Sequence, residues 1–406
     1  MLLLVLSRSY RTADFLAAAR QVGVGVVIGT DRTPALSGLM PEPPLRLDFT
    51  RPADAVDRIV ADATRRRYDG IVAVDDAGTR IAAAAAERLK LPHNPPAAVA
   101  TSHDKAASRA ALHAAGLPTP CFAVHSADRA PATLAESIRY PCVIKPLDLS
   151  ASRGVIRADD PITFVAAWER VTAIVRAACA DPRVLVEDFV PGEEVAVEAL
   201  LHGGVLEPLA IFDKPDPLDG PYFEETYYVT PSRRSAADQG AVCDAVQRAV
   251  WALGLREGPI HAEVRLNELG PWVGEVAARS IGGLCARALR FGAGITLEEL
   301  IIRHAAQLPI PPHQREDAAS GVLMLPIPSA GTLRGVHGRA AARAVPGIAG
   351  LEISVPAGQR IVPLPEGDRY LGFLFARGAT AGVVERSLRA AHAQLRIEIE
   401  PDQAAV

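Results

Sequence analysis

The sequence predicts a multidomain chain of mixed α/β and α+β class: a doubly wound α/β domain first, a larger α+β domain in the middle and a small α+β domain at the end. Three observations predict it. Strand-length apolar runs alternate with helical patterns over residues 1–95, as parallel strands with crossover helices require. Long helical stretches separated by strand pairs fill about 97–315. Short strands between Pro-Gly turns fill the rest. With 406 residues, 49% hydrophobic and 22% charged, the chain is long enough to bury several cores. The expected domains are 1–95, 96–318 and 319–406.

In chain order, Met1 to Leu6 is too short and lacks the basic lead of a secretion signal, so it reads as a first buried strand over 2–6. Helices are expected over 10–21, 53–66 and the Ala-rich 77–89, with strands over 24–28 and 70–74. Gly23-Val-Gly25 followed by Gly29 has the look of a dinucleotide loop, but these glycines lie within or before a strand rather than between strand and helix, so they are set aside. Leu91-Pro-His-Asn-Pro-Pro96 marks a boundary. The middle domain should carry helices at 101–115, 161–178 and 236–253. Beyond 319, strands are expected near 320–325, 349–354 and 370–376 and a helix near 380–392, with turns at Pro346-Gly, Pro356-Ala-Gly and Pro365-Glu-Gly. Asp402 to Val406 reads as a frayed end.

The most informative stretch, residues 260–279, alternates like two strands around the turn-like 267–271. If that five-residue loop closes a hairpin, Leu266 faces Trp272 and Glu263 faces Glu275. Facing like charges, about 4.5–5.5 Å apart at Cα, destabilise a sheet unless a cation lies between them. A divalent ion shared with nucleotide phosphates is one answer, with Arg279 just beyond. A solvated hairpin pairing its glutamates with Arg265 and Arg279 fits the pattern equally well. Lys and Arg total 43, yet only Lys90, Lys105, Lys145 and Lys214 are lysines. A lysine kept against that bias suggests a need for a compact ammonium. Lys145 ends the apolar run 140–146, either delivering its charge to a site or snorkelling from a strand end. Lys105 opens a helical pattern. The small-residue loop 148–154 has backbone N–H groups suited to phosphates. A strand ending at Glu187, the Pro191-Gly192 break and a strand opening near Glu194 form a linker suited to an adenine and a ribose. Glu193 and Glu198 read as charges of a solvated hairpin.

Taken in order, Lys105, Lys145, the loop Ser150-Ala-Ser-Arg-Gly-Val155, the Glu187 to Glu194 hinge, and Glu263, Glu275 and Arg279 followed by Gly282-Gly283 resemble the ATP-grasp superfamily. Within it, the aromatic segment 212–231 and the run from Gly321 to Arg377 resemble the bacterial L-amino-acid ligases. The resemblance spans essentially the whole chain. It implies an ATP-grasp fold, with ATP and Mg²⁺, or alternatively Mn²⁺, as cofactors. It implies that Lys105, Lys145, Ser152 and Gly154 hold phosphates, that Glu187, Asp188, Phe189 and Val190 meet the adenine, and that Glu194 meets the ribose. Glu263 and Glu275 would ligate the metal, and Arg279 would neutralise an acyl-phosphate. Glu225 and Tyr228 would contact substrate, although a strand this rich in aromatics also reads as plain packing.

Two departures stand out. Many relatives carry Asn two residues after the second metal glutamate, where this chain has Ala277, so one of two metal ions would be held less well. The phosphate loop is poorer in glycine than in biotin-carboxylase-like relatives, which argues against a carboxylase subunit. His261 is taken as structural, on the strand face opposite Glu263.

A net charge of −4 and no basic stripe exclude nucleic acid as an expected partner. No apolar run approaches the ~20 residues of a membrane helix. Five scattered cysteines indicate neither disulfides nor zinc and fit the cytoplasm. The expected activity is ATP-dependent joining of a small-molecule carboxylate to an amine, by a homodimer. The alternative is an ATP-binding protein of the same fold without turnover. Cell-wall D-alanine ligase chemistry is disfavoured by the extra C-terminal domain.

Overall fold

A computed structural model describes residues 1–32, 42–178, 182–292 and 294–402. Cys179 and residues 403–406 of the expected frayed end lie outside them. The N-terminal strands Leu2–Leu4, Val27–Thr30, Leu45–Arg46 and Ile71–Ala73 form one all-parallel sheet, with Leu2–Leu4 and Val27–Thr30 in the centre. Leu2, Leu3 and Leu4 are consecutive and apolar because both faces are covered. Leu2 and Leu4 meet helices Pro52–Ala63 and Asp76–Leu89. Leu3 faces helix Thr12–Val22 and, from far along the chain, helix Leu297–Ala305. The approach of that last helix leaves no room at Gly70, where a Cβ would stand 2.2 Å from the Ala305 carbonyl oxygen. Gly23 is the left-handed C-cap of helix Thr12–Val22.

Two antiparallel sheets follow. Phe122–Ser126, Arg183–Asp188, Cys142–Pro146 and Ile156–Ala158 make the smaller, in that order, backed by helix Pro161–Ala178. The larger has eight strands and contains the hairpin Gly258–Asn267 and Gly270–Ala277, Glu193–His202, Val205–Asp213 and Tyr227–Thr230. It continues through Ala319–Leu325, Gly372–Gly378 and Ile348–Ile353, so one sheet crosses the boundary drawn at residue 318. A small sheet of Arg360–Ile361, Gly331–His337 and Arg396–Glu400 packs behind it.

The helix expected over 101–115 is two helices, Pro96–His103 and Lys105–Ala114. Asp104 breaks it by taking an extended conformation, and its carboxylate accepts from Ala106 N–H and Ala107 N–H as an N-cap. Lys105 thereby becomes the first residue of a new helix beside the small-residue loop 148–154. Glu263 does face Glu275, but by a different route from the one expected. The turn has two residues rather than five, so Leu266 faces Pro271 and Arg265 faces Trp272. A bulge at Gly274 adds one residue back before Glu275. The two differences cancel at the glutamates.

A candidate nucleotide and acyl-transfer site

The two sheets and the loops of the parallel domain enclose a cleft of about 470 Å³. All of the residues expected at the site line it except Gly154. Gly154 lies behind the loop, its N–H donating to the Pro365 carbonyl at 2.8 Å. The loop residues on the cleft side, Ala151 and Ser152, both have left-handed backbones, which turn successive N–H groups toward one side.

Lys145 does not snorkel. Its ammonium is buried against Glu187, which also accepts from Arg109 at 2.9 and 3.3 Å. Burial would raise the Glu187 carboxyl, but Arg109 and Lys145 outweigh it and hold it down to about 2. Burial presses the Lys145 ammonium below its ordinary value, Glu187 restoring part. The Glu187 carboxylate is thus engaged by two cations, and the hinge meets the cleft through the residues after it. Phe189 lies under two guanidinium groups, with Arg157 4.1 Å and Arg265 5.2 Å from its ring centre. Arg265 also donates to the Val190 carbonyl at 2.8 Å and to Glu194 at 3.0 Å. Gly192 turns here at φ +125°, where a Cβ would stand 2.3 Å from the Leu266 carbonyl oxygen.

Deeper in the cleft, Lys214 stands among three carboxylates. It touches Glu225, Glu194 at 2.6 Å and Glu263 at 3.3 Å. Carboxylate oxygens of these three glutamates lie within 4.8 Å of one another. Burial alone would depress Lys214, yet the glutamates outweigh it and hold the ammonium well above its usual value. Burial, with Glu263 nearby, pushes Glu225 up to about 7 against the pull of Lys214. Glu263 of this cluster, with Glu275 facing it across the hairpin, offers the hard oxygen donors that suit Mg²⁺, so these two residues fit the metal the family implies. Glu275 stands outside this cluster, 3.6 Å from the Lys105 ammonium, which also donates to the Leu149 carbonyl at 2.7 Å. Replacing Lys214 by Met should therefore cost about 3–5 kcal/mol of unfolding free energy in EDTA, as when one member of a buried ion pair is removed. Mn²⁺ without nucleotide should restore part of it, which denaturant titration with and without the ion will measure.

Two readings of the hairpin strands are corrected. Glu198 is not a solvated charge: it is 1% exposed, holds the His261 imidazole, and accepts from Ile281 N–H at 3.0 Å. His261 shares the face of Glu263, since residues two apart on a strand point the same way. Its Nε2 is 3.6 Å from Glu263. Burial would lower the His261 pKa, but Glu198 and Glu263 outweigh it and raise it to about 9. Tyr228 is both packed and polar, buried with its hydroxyl donating to Glu225 at 2.8 Å.

Arg279 is clamped by Asp76 of the parallel domain, at 2.7 and 2.8 Å, and donates to the Ser280 carbonyl at 2.9 Å. Burial opposes its charge, but Asp76 outweighs this and holds the guanidinium protonated. Sequence reasoning missed three of these partners. Lys214 carried a signal, being one of four lysines. Arg109 sits four residues after Lys105, on the same helix face. Asp76 follows the carboxyl end of a parallel strand, where α/β sheets place ligands.

Two lysines beside a small-residue loop, a hinge between two sheets, and a carboxylate cluster and an arginine lining the same cleft fit one class, a nucleotide-dependent phosphoryl-transfer enzyme. The chain belongs to the ATP-grasp superfamily, whose members use ATP with Mg²⁺. An ATP-grasp N-terminal domain matches residues 16–93, an ATP-grasp domain 138–288, and an L-amino acid ligase C-terminal domain 323–400. The D-alanine–D-alanine ligase of Gloeobacter violaceus is 33% identical over 232 residues, covering 53% of this chain and 72% of that one. The uncharacterized protein y4rH of Sinorhizobium fredii is 27% identical over 306 residues, 74% of this chain and 63% of its own length. The crystal structure of an L-amino acid ligase from Bacillus licheniformis superposes with a TM-score of 0.82 at 25% identity, over 98% of both chains. The Gloeobacter violaceus and Bacillus licheniformis proteins are both ligases by name. Among the described residues, no helix is long and apolar enough to cross a membrane.

Proposed function

We propose that this chain is an ATP-dependent carboxylate–amine ligase that joins amino acids, or an amino acid and a related amine, through an acyl-phosphate. The observation that carries the reading is the placement of Arg279 in one cleft with Lys105, Lys145 and the Glu194–Glu225–Glu263 cluster. Lys105, Lys145 and the Ser152 side of the loop hold the ATP phosphates, Asp188 to Val190 face the adenine, and Glu194 the ribose. Mg²⁺, or Mn²⁺ in its place, bound by Glu263 and Glu275, would supply charge neutralisation at the phosphates. A substrate carboxylate oxygen attacks the γ-phosphorus and ADP leaves. The amine nitrogen then attacks the acyl carbon, loses a proton and expels phosphate. Arg279 stabilises the negative charge that develops on the tetrahedral centre. Glu225 and Tyr228 border the substrate side.

The reading favours a cytoplasmic homodimer, with free thiols at Cys121, Cys142, Cys243 and Cys285 in keeping with a reducing compartment. The C-terminal match and the Bacillus licheniformis ligase favour amino-acid substrates other than D-alanine. The test is nucleotide product analysis with ATP, Mg²⁺ and pooled amino acids. ADP and phosphate should appear only when amino acids are added, and Glu275→Gln should lower the rate at least about 100-fold, as expected when phosphoryl-transfer charge is left unneutralised. AMP and pyrophosphate as products would refute it.

A further inference from the structure

Asp75 occupies the N-cap position of helix Asp76–Leu89, yet its side chain caps nothing. An aspartate there ordinarily accepts from the first-turn N–H groups of its own helix. Here the backbone carbonyl of Asp75 takes Gly78 N–H, and Asp75 is among the residues that line the cleft. Its Oδ1 accepts a long bond, 3.3 Å, from the Ser9 hydroxyl. Its Oδ2 is shut off from solvent and has no hydrogen-bond partner among the described residues. The nearby guanidinium groups attract it without donating to it: Arg11 donates to the Val74 carbonyl and Ser280 Oγ, and Arg279 to Asp76. A buried carboxylate oxygen without a donor is costly, and such groups are otherwise nearly always paired. Burial accordingly raises the Asp75 pKa. The last torsion of aspartate is soft, so rotation about it exchanges the positions of the two oxygens.

Ser9 and Asp75 follow the carboxyl ends of the adjacent parallel strands Leu2–Leu4 and Ile71–Ala73, the usual place for ligands in such a sheet. Glu225, the other carboxylate on the substrate side, is already shared by Lys214 and the Tyr228 hydroxyl. We propose that Asp75, supported by Ser9, is the anchor for the α-ammonium of the amino acid whose carboxylate is phosphorylated. The inference rests on the ligase reading and adds a direction to it. An amine held by a carboxylate stays protonated and cannot attack the acyl-phosphate, whereas the attacking amine must be neutral. The amino acid seated on Asp75 therefore becomes the N-terminal residue of the product and is protected from self-acylation.

The test uses the whole enzyme with ATP and Mg²⁺ and traps the acyl-phosphate with hydroxylamine. The donors are an amino acid that the wild type activates and its des-amino analogue. Asp75→Asn should raise KM for the amino acid by roughly 10- to 100-fold, the range for a lost hydrogen bond to a charged group, with a smaller change in kcat. The kcat/KM for the des-amino analogue should match that of the wild type. If Asp75→Asn does not fold, Asp75→Glu, which keeps the charge and displaces it by one methylene, should show the same selectivity. Equal losses for both donors would make Asp75 a structural group and overturn the inference while leaving the ligase reading intact. A wild type that activates no amino acid would overturn the ligase reading first, and this inference with it.

Discussion

Arg279→Ala is expected to lower kcat by about 10²–10³ while nucleotide affinity stays within a few-fold, the loss seen when one fixed donor to a developing oxyanion is removed. The guanidinium is immobilised before any substrate arrives: Asp76 holds Nε and one terminal nitrogen, and the Ser280 carbonyl holds the other. Such a group loses little entropy when it meets the transition state, which is the advantage of a preorganised charge over a mobile one. Asp76 reaches it from the parallel domain, so Asp76→Asn should act as a positioning defect, with a smaller fall in kcat that Arg279→Ala masks. Rapid-mix measurement of acyl-phosphate formation and breakdown, beside equilibrium titration of an ATP analogue, separates the two effects. A loss of nucleotide affinity equal to the loss of kcat would place Arg279 in ATP binding and count against its assigned role.

Arg109→Met should destabilise the nucleotide-free protein by about 3–5 kcal/mol, the range for removing one partner of a buried ion pair. Arg109 and Glu187 are 5% and 6% exposed at their side chains, so solvent screens little of the interaction. Arg109 also donates to the Gly274 carbonyl at 2.7 Å and thus pins the bulge that sets Glu263 against Glu275. The pH dependence has a definite sign. The Glu187 carboxyl lies at about 2 in the folded protein against an ordinary 4.5. Its contribution is therefore present above pH 4.5 and is lost as pH falls toward 2. Urea titrations of wild type and Arg109→Met should converge across that window. A gap that stays constant on acidification would assign the loss to packing rather than to charge.

Much of the architecture was legible because periodicity reports burial directly. The apolar run at the start and the helices over 161–178 and 236–253 are set by local pattern, and those two helices match their expected bounds. Asp104 was harder, because a helix that stops and restarts at one residue leaves the apolar period intact. The pairing of Glu263 with Glu275 came out correctly from an incorrect turn. The signal for the bulge is Gly274, since a glycine inside a strand often marks one. Side-chain placements in the cleft were legible where residue type alone narrows the chemistry, as for Lys105, Lys145 and Glu263. They were not legible where meaning comes from a partner distant in sequence. Asp76 lies 203 positions from Arg279, and nothing local marks either as belonging to the other. Glu198 illustrates the reverse case: an acidic residue near a turn looks solvated until a crossing strand buries it beside His261.

The most direct test of the central claim is isotope transfer. An amino acid labelled with ¹⁸O in its carboxylate, turned over with ATP and Mg²⁺, should yield inorganic phosphate carrying one ¹⁸O per amide formed, because the attacking carboxylate oxygen leaves with the phosphoryl group. Label in AMP, or phosphate free of label while amide accumulates, would contradict an acyl-phosphate route in this cleft.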